Sequence, residues 1–154
     1  MCKQGIMLAL GLILVGCGEA QQAPPFTPVA DTKLLMESVI DPAADVVWDS
    51  VKTIITAEGM EEIRPHTEEQ WTAVRNAAMV VTESGNLLMM APRAVDSDEW
   101  MKAAQAMVET GQQAIRAIEK RDADELFVVG GYIYDSCTNC HSKYIDEIVN
   151  AQTN

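Results

Sequence analysis

Apolar residues recur at intervals of three and four positions over most of the chain beyond residue 30. This is the spacing of one face of an α-helix, and no stretch shows the convincing apolar and polar alternation of a strand. The pattern predicts four helices: a first from about Asp31 to Ala57, a second from Thr67 to about Pro92, a third that begins between Asp96 and Glu99, and a fourth that begins at Asp122.

Capping signals mark where these helices begin. Thr67-Glu68-Glu69-Gln70 has the form of a capping box, and the segment from Asp96 to Glu99 has a similar form. Asp122 precedes Glu125 by three residues in the same way. Within the first helix, Asp41-Pro42 is typical of an N-cap followed by proline in a first turn. The first stretch is therefore expected to be either one kinked helix or two short helices placed end to end.

Length and composition favour a single all-helical domain. The chain has 154 residues, of which 48% are apolar and only 5% aromatic. This composition favours a core of aliphatic side chains and methionine over a β-sandwich, and the length is that of one domain. Four amphipathic helices with short to moderate loops predict an antiparallel four-helix bundle over residues 31–150.

The N-terminal segment has the features of an export signal. Lys3 precedes an apolar stretch from Ile6 to Val15, which is too short to span a bilayer. Leu14-Val15-Gly16-Cys17 resembles a bacterial lipobox, which predicts removal of residues 1–16 and lipidation of Cys17. An ordinary signal peptide is the alternative.

Residues 17–30 then form a tether, because three prolines and small polar residues disfavour a helix. We expect a periplasmic domain anchored to a membrane through acyl chains on Cys17. Gly18, in place of an acidic residue, favours the outer membrane by analogy with enteric bacteria.

The charge of the chain restricts its partners. The formal net charge is −12. Nucleic-acid binding requires clustered lysine and arginine to neutralise phosphates, so we expect no nucleic-acid partner.

A single Cys-x-x-Cys-His run carries the candidate chemistry. Cys137-Thr138-Asn139-Cys140-His141 has the form of a c-type haem attachment site, in which two thiols add to the haem vinyl groups and the histidine binds the iron. A redox dithiol is usually at a helix N-terminus, and a zinc site needs about four ligands. Both alternatives are disfavoured here, because the run lies late in the fourth helix and only His66 remains as a further soft or imidazole ligand.

The four cysteines are accounted for without a disulfide. Cys2 would leave with the signal, Cys17 would carry lipid, and Cys137 and Cys140 would carry haem. On a helix the two thiols and His141 project from one face, which is also the apolar face of the fourth helix. The haem is thus expected inside the bundle. Gly130 and Gly131, about two turns earlier, suggest a close approach by the macrocycle or by another helix.

The run Cys137-Thr138-Asn139-Cys140-His141-Ser142-Lys143-Tyr144, near the C-terminus of an all-helical chain, resembles the cytochrome c prime family. The first-helix segment from Leu35 to Trp48 adds to the resemblance, which covers about residues 31–150 and is nearer to lipoprotein members. It implies that Cys137 and Cys140 form thioethers to one haem c and that His141 is the proximal ligand.

On the other side of the iron, members of the family carry either an apolar side chain or a methionine sulfur. Met36 is the candidate for this second axial position, and its alternative role is that of a core residue. Met89, Met90, Met101 and Met107 are weaker candidates. The kink at Pro42 is a departure from the family pattern and leaves the position of Met36 undecided.

Two functions follow from these alternatives. Ligation by Met36 raises the iron potential and predicts electron transfer with an unidentified redox partner protein. A five-coordinate haem predicts binding of nitric oxide or carbon monoxide instead. We expect no enzymatic activity, because His66, the one remaining imidazole, lies in a loop. Members of the family often pair through their first two helices, so a homodimer is a further expectation.

Overall fold

The computed structural model describes residues 26–151. The predicted signal segment, the lipidation site Cys17 and most of the predicted tether lie outside the described residues. The described elements are α1 (Thr32–Leu35), a π-helical turn (Met36–Ile40), α2 (Asp41–Ser50), β1 (Lys52–Thr56), β2 (Gly59–Ile63), α3 (Glu68–Leu88), α4 (Glu99–Glu119) and α5 (Ala123–Ala151). The chain is mostly helical, as expected.

The first predicted helix is two α-helices joined by a π-helical turn. Pro42 has no N–H with which to bond the carbonyl of Ser38, and its ring would press on that carbonyl in a regular α-helix. The backbone widens instead, and the Asp41 N–H donates to the carbonyl of Met36, five residues earlier. The expected N-cap role of Asp41 is wrong, because its own backbone is helical, with φ −58° and ψ −52°. Asp31 caps α1 by accepting from the Leu34 N–H at 2.7 Å.

Residues 52–63 form an antiparallel β-hairpin, so the expectation of a helix as far as Ala57 and of no strand is wrong. The strands pair Lys52 with Ile63 at one end and Thr56 with Gly59 at the other. Gly59 has φ +145°, which glycine adopts without strain. β-Branched residues dominate the first strand, and such residues favour strands over helices. Ile54, which fitted the helical spacing, lies in this hairpin and is 38% exposed.

The start of α3 confirms the predicted capping box. Thr67 Oγ1 accepts from the Gln70 N–H at 3.2 Å, and Gln70 Oε1 accepts from the Thr67 N–H at 3.0 Å. The helix ends at Leu88, slightly before the proline expected to stop it. The start of α5 also matches, since Asp122 Oδ1 accepts from the Glu125 N–H at 2.8 Å.

The box expected between Asp96 and Glu99 is wrong. Asp98 is the N-cap of α4 and makes no side-chain capping hydrogen bond. The Asp96 carboxylate accepts instead from the backbone N–H groups of Asp98, at 2.8 Å, and Trp100, at 3.0 Å. The carboxylate therefore satisfies one free N–H in the first turn of α4 from a position outside the helix.

The core lies between the long helices. α3 packs along α4, α4 packs along α5, and α2 packs on α3. The predicted apolar face of α5 is confirmed, because Leu126, Val129, Ile133 and Tyr144 are buried. None of the helices in the described range is long and apolar enough to cross a bilayer.

Two glycines allow α3 and α4 to approach closely. A Cβ atom at Gly85 would lie 2.5 Å from Val108 Cγ2 and 2.7 Å from the backbone oxygen of Ala104. A Cβ atom at Gly111 would lie 2.2 Å from Thr82 Oγ1 and 3.1 Å from the Thr82 Cα. The absence of side chains at both positions sets the distance between the two helices.

Gly85→Ala is expected to lower the free energy of unfolding by about 1–3 kcal/mol, because the backbone of α4 must move to admit the methyl group. Denaturant unfolding monitored by far-UV circular dichroism measures the change. Gly131→Ala is the matched control, since nothing lies within 4 Å of a Cβ there. Alanine at this exposed helical position should leave stability unchanged or raise it by up to about 1 kcal/mol. Equal effects at the two positions would contradict the close approach.

Candidate functional site

A cavity of about 380 Å³ opens beside the Cys-x-x-Cys-His run. Its walls come from the π turn and α2 on one side and from α5 on the other, with α4 and the end of α3 completing it. Most of the side chains facing it are apolar. Sites for small molecules and cofactors have volumes of about 300–1,000 Å³ and walls of this kind. The cavity is therefore large enough to be a cofactor site.

The α5 wall brings together the three residues of the predicted haem motif. Cys137, Cys140 and His141 all line the cavity. The two cysteines are half-buried free thiols, and His141 is exposed at the cavity edge. One neighbouring hydroxyl is already satisfied, because that of Ser136 donates to the carbonyl of Ile133 at 2.7 Å. The helical spacing of the motif thus places both thiols and the imidazole along one wall, as expected.

Burial raises the pKa of both thiols. Desolvation is the main cause at each. At Cys137 the Ser136 hydroxyl opposes the rise and the carboxylate of Asp41 adds to it. Redox-active dithiols have the opposite property, a lowered thiol pKa. Within residues 26–151 no group of three or more histidine, cysteine and acidic side chains is arranged to hold a metal ion.

The wall opposite α5 carries Met36. We call α1, the π turn and α2 together (residues 32–50) the first helical arm. Its residues line the cavity at intervals of four: Met36, Ile40, Ala44 and Trp48. Met36 is half-buried and also packs against the core. The fold therefore places the sequence-predicted second ligand in the same cavity as His141.

A second methionine also reaches the cavity. Met107 of α4 is 5% exposed and lines the wall. Of the four weaker candidates for the second axial position, Met107 alone is on this wall in the described part of the chain. Helical spacing favours Met107 over Met101, because Met107 shares one face of α4 with Trp100 and Ala104, and Met89 and Met90 follow the end of α3. Spacing alone does not indicate that this face of α4 borders the same cavity as Met36.

Trp48 joins the first helical arm to α5. Its indole N–H donates to the carbonyl of Gly130 at 3.0 Å, and its ring meets Tyr134 edge-on, with centroids 6.2 Å apart. A Cβ atom at Gly130 would lie 3.4 Å from Trp48 Cδ1. Trp48 therefore lies against Gly130 at ordinary van der Waals distance, which does not require glycine there. Gly131 is exposed with no protein atom within 4 Å of a Cβ, so the expected approach of another helix is wrong at that position.

At the α4 wall, Asp96 and Trp100 near the start of α4 contact Tyr144 of α5. The Trp100 indole N–H donates to the carbonyl of Leu88 at 2.8 Å, and its ring meets Tyr144 edge-on at 5.1 Å. The Tyr144 hydroxyl donates to Asp96. This hydrogen bond, with those from the Trp100 and Asp98 N–H groups, lowers the pKa of Asp96 to about 2. Desolvation and the same hydrogen bond raise the pKa of Tyr144.

The charged residues of the α3 and α5 N-termini are not part of the cavity wall. Lys120 pairs with Glu125 at 2.9 Å, and Arg121 pairs with Glu68. His66 is exposed in the loop before α3, as expected. Within the described range, the cavity wall includes the acidic residues Glu37 and Asp41 and neither lysine nor arginine.

A comparison of the chain with protein-family models, with curated proteins and with solved structures found no match. The resemblance to the cytochrome c prime family thus rests on the motif and the helical pattern.

Proposed function

We propose that this protein is an exported c-type cytochrome whose helices form an antiparallel four-helix bundle around one covalent haem. Cys137 and Cys140 would bind the haem through thioethers, and His141 would be an axial ligand of the iron. One observation carries the proposal: both thiols and the imidazole line a single apolar cavity that also contains Met36.

The residues present fit a haem. The two thiols are free, lie on the same wall and are three residues apart on a helix, as the two vinyl groups require. Trp48, Trp100 and Leu88 supply apolar contacts from the other walls and would exclude water from a bound macrocycle. When bound, the haem supplies an iron that changes between two oxidation states, and the chain sets its potential through the axial ligands and burial.

We propose electron transfer as the function, because Met36 shares the cavity with His141. A thioether on the iron raises its potential and closes it to external ligands. The proposal includes exchange of electrons with a partner protein and attachment of the domain to the outer membrane through a lipid on Cys17.

Binding of small diatomic gases is the second candidate. Ile40, Ala44 and Ala104 line the cavity, and none of them has a group that binds iron. If neither methionine binds the iron, such a wall would leave the iron accessible to an external ligand in dry surroundings, which would suit nitric oxide or carbon monoxide.

Absorption spectra of the oxidised protein distinguish the two functions. We expect a far-red sulfur-to-iron band in the wild-type protein and its loss in Met36→Leu, which keeps the volume of the side chain nearly unchanged. Met107→Leu is the matched control, because it changes the other methionine of the same cavity and should leave the band intact. Loss of the band in Met107→Leu alone would transfer the ligand role to Met107. A high-spin spectrum in all three proteins would contradict electron transfer through a methionine-ligated iron and favour gas binding.

A further inference from the structure

Met36 and Trp48 both line the cavity although they are three intervals of four residues apart. A regular α-helix would not place them on the same side of its axis. An α-helix advances about 100° per residue, so each interval of four residues overshoots a full turn by about 40°. Over the three intervals from Met36 to Trp48 the overshoot would reach about 120°. In a continuous helix, Met36 would therefore lie about 40° beyond Ile40 and about 120° from Trp48, at the outer edge of the wall that these residues form.

The π turn removes this misalignment. A π turn holds one more residue than an α turn, so it rotates the preceding residues by about 100° relative to a continuous α-helix. The angle between Met36 and Trp48 then falls to about 20°. This agrees with the observation that both residues line the same cavity.

Pro42 accounts for the position of the π turn. Without an N–H at residue 42, the carbonyl of Ser38 loses its α-helical partner, and the proline ring would clash with that carbonyl. The Asp41 N–H bonds the Met36 carbonyl in the wider turn, immediately before the proline. Pro42 itself is exposed and is not among the residues that line the cavity.

We infer that Pro42 is a positioning residue: by enforcing the π turn it directs the Met36 side chain into the cavity toward the haem iron. The inference rests on the proposed function for the identity of the group that Met36 faces. It assigns to an exposed proline outside the cavity wall the control of which residue of the first helical arm approaches the iron.

The inference predicts a loss and a rescue. In Pro42→Ala the restored N–H can bond the Ser38 carbonyl, the segment becomes a continuous α-helix, and Met36 rotates by about 100°, from the middle of the wall to its outer edge beyond Ile40. Deletion of the exposed Ser38 in the same variant removes the extra residue of the turn. A continuous α-helix then presents Met36 with the same rotation as the π turn, so the deletion should restore what Pro42→Ala loses.

Nuclear magnetic resonance of the holo-protein labelled with ¹³C-methyl methionine is the test. A haem displaces the resonance of a nearby methyl group from the usual methionine region, whether or not the sulfur binds the iron, and Met36→Leu assigns the signal. We expect a displaced Met36 signal in the wild-type protein, an ordinary position in Pro42→Ala, and a displaced signal again when Ser38 is also deleted. Asp45→Ala, a change at an exposed position of α2, is the control and should keep the displaced signal.

Each departure from this sequence of results overturns the inference. A displaced signal that persists in Pro42→Ala would show that the proline does not set the rotation. Loss without recovery in the deletion variant would show that the effect is not rotational. An undisplaced Met36 signal in the wild-type protein would remove Met36 from the haem. Covalent haem, measured on the same samples after denaturation, separates these outcomes from failure of the proposed function, in which no variant carries haem at all.

Discussion

Replacing Cys137 and Cys140 together by alanine is expected to abolish covalent attachment of haem. Both thiols lie on the α5 wall of the cavity, and no other cysteine occurs between residues 26 and 151. Each thioether needs one of these sulfur atoms, so the double variant can form neither. The expected result is complete loss of haem from the polypeptide after denaturation, measured by absorption of the denatured chain and by the intact mass.

Asn139→Ala is the matched control for this experiment. Asn139 is exposed and lies between the two cysteines on the same turn of α5. The change keeps both thiols and should leave the covalent haem and the mass unchanged. Haem that stays bound to the denatured double variant would refute attachment at these thiols, and a wild-type chain without covalent haem would refute the proposed function.

Trp100→Ala is expected to lower the free energy of unfolding by about 3–5 kcal/mol. Trp100 is 1% exposed, packs edge-on against Tyr144 and lines the cavity. Its truncation leaves a large void and removes the donor that satisfies the Leu88 carbonyl. Urea unfolding measures the loss, on preparations matched for haem content because a bound cofactor also stabilises the native state.

Phe127→Ala is the control for the stability measurement. Phe127 is an aromatic residue of α5 that is 56% exposed. Its truncation removes a side chain of comparable type and leaves no buried void, so the change should be within about 0.5 kcal/mol of zero. A loss at Trp100 no larger than the loss at Phe127 would contradict its place between α4 and α5.

The site has two separate structural requirements, the thiol spacing on α5 and the packing of α4 on α5. The two cysteines depend on a local feature, because their spacing on one helix places both thiols on one face, as the proposed attachment of one haem would require. Trp100 acts through the packing of α4 on α5, together with Tyr144 and the Asp96 carboxylate that accepts from it. The site therefore needs a motif on one helix and a separate set of contacts that places the other walls around it.

The helices that the sequence predicted well are those whose signals are local. The Thr67 capping box and the Asp122 start are set by side chains within one turn of the residues they cap, and both were confirmed. The apolar face of α5, including Ile133, was also predictable, because a helical face depends only on the spacing of residues along the helix.

The sequence prediction failed where two local tendencies competed. Ile54 fits a helical face and also belongs to a run of β-branched residues, and the hairpin contains it. Asp96 fits a capping box, yet in the structure its carboxylate is shared between the start of α4 and the Tyr144 hydroxyl on α5. For Asp96 the outcome depends on a residue far along the chain, Tyr144. For Ile54 the paired residue is Glu61 in the strand that follows directly, and the β-branched run is the local signal that outweighs helical spacing.

By itself, the sequence determined the helical character of the chain, the face of α5 that carries the thiols, and the residue types present at the proposed haem site. These follow from helical periodicity and from the chemistry of a five-residue motif, both of which are local. Only the tertiary structure decided that Met36 and Met107 share one cavity with Cys137 and His141. That decision depends on the rotation of each helix against its neighbours, which the π turn before Pro42 and the glycine contacts between α3 and α4 set through packing rather than through spacing.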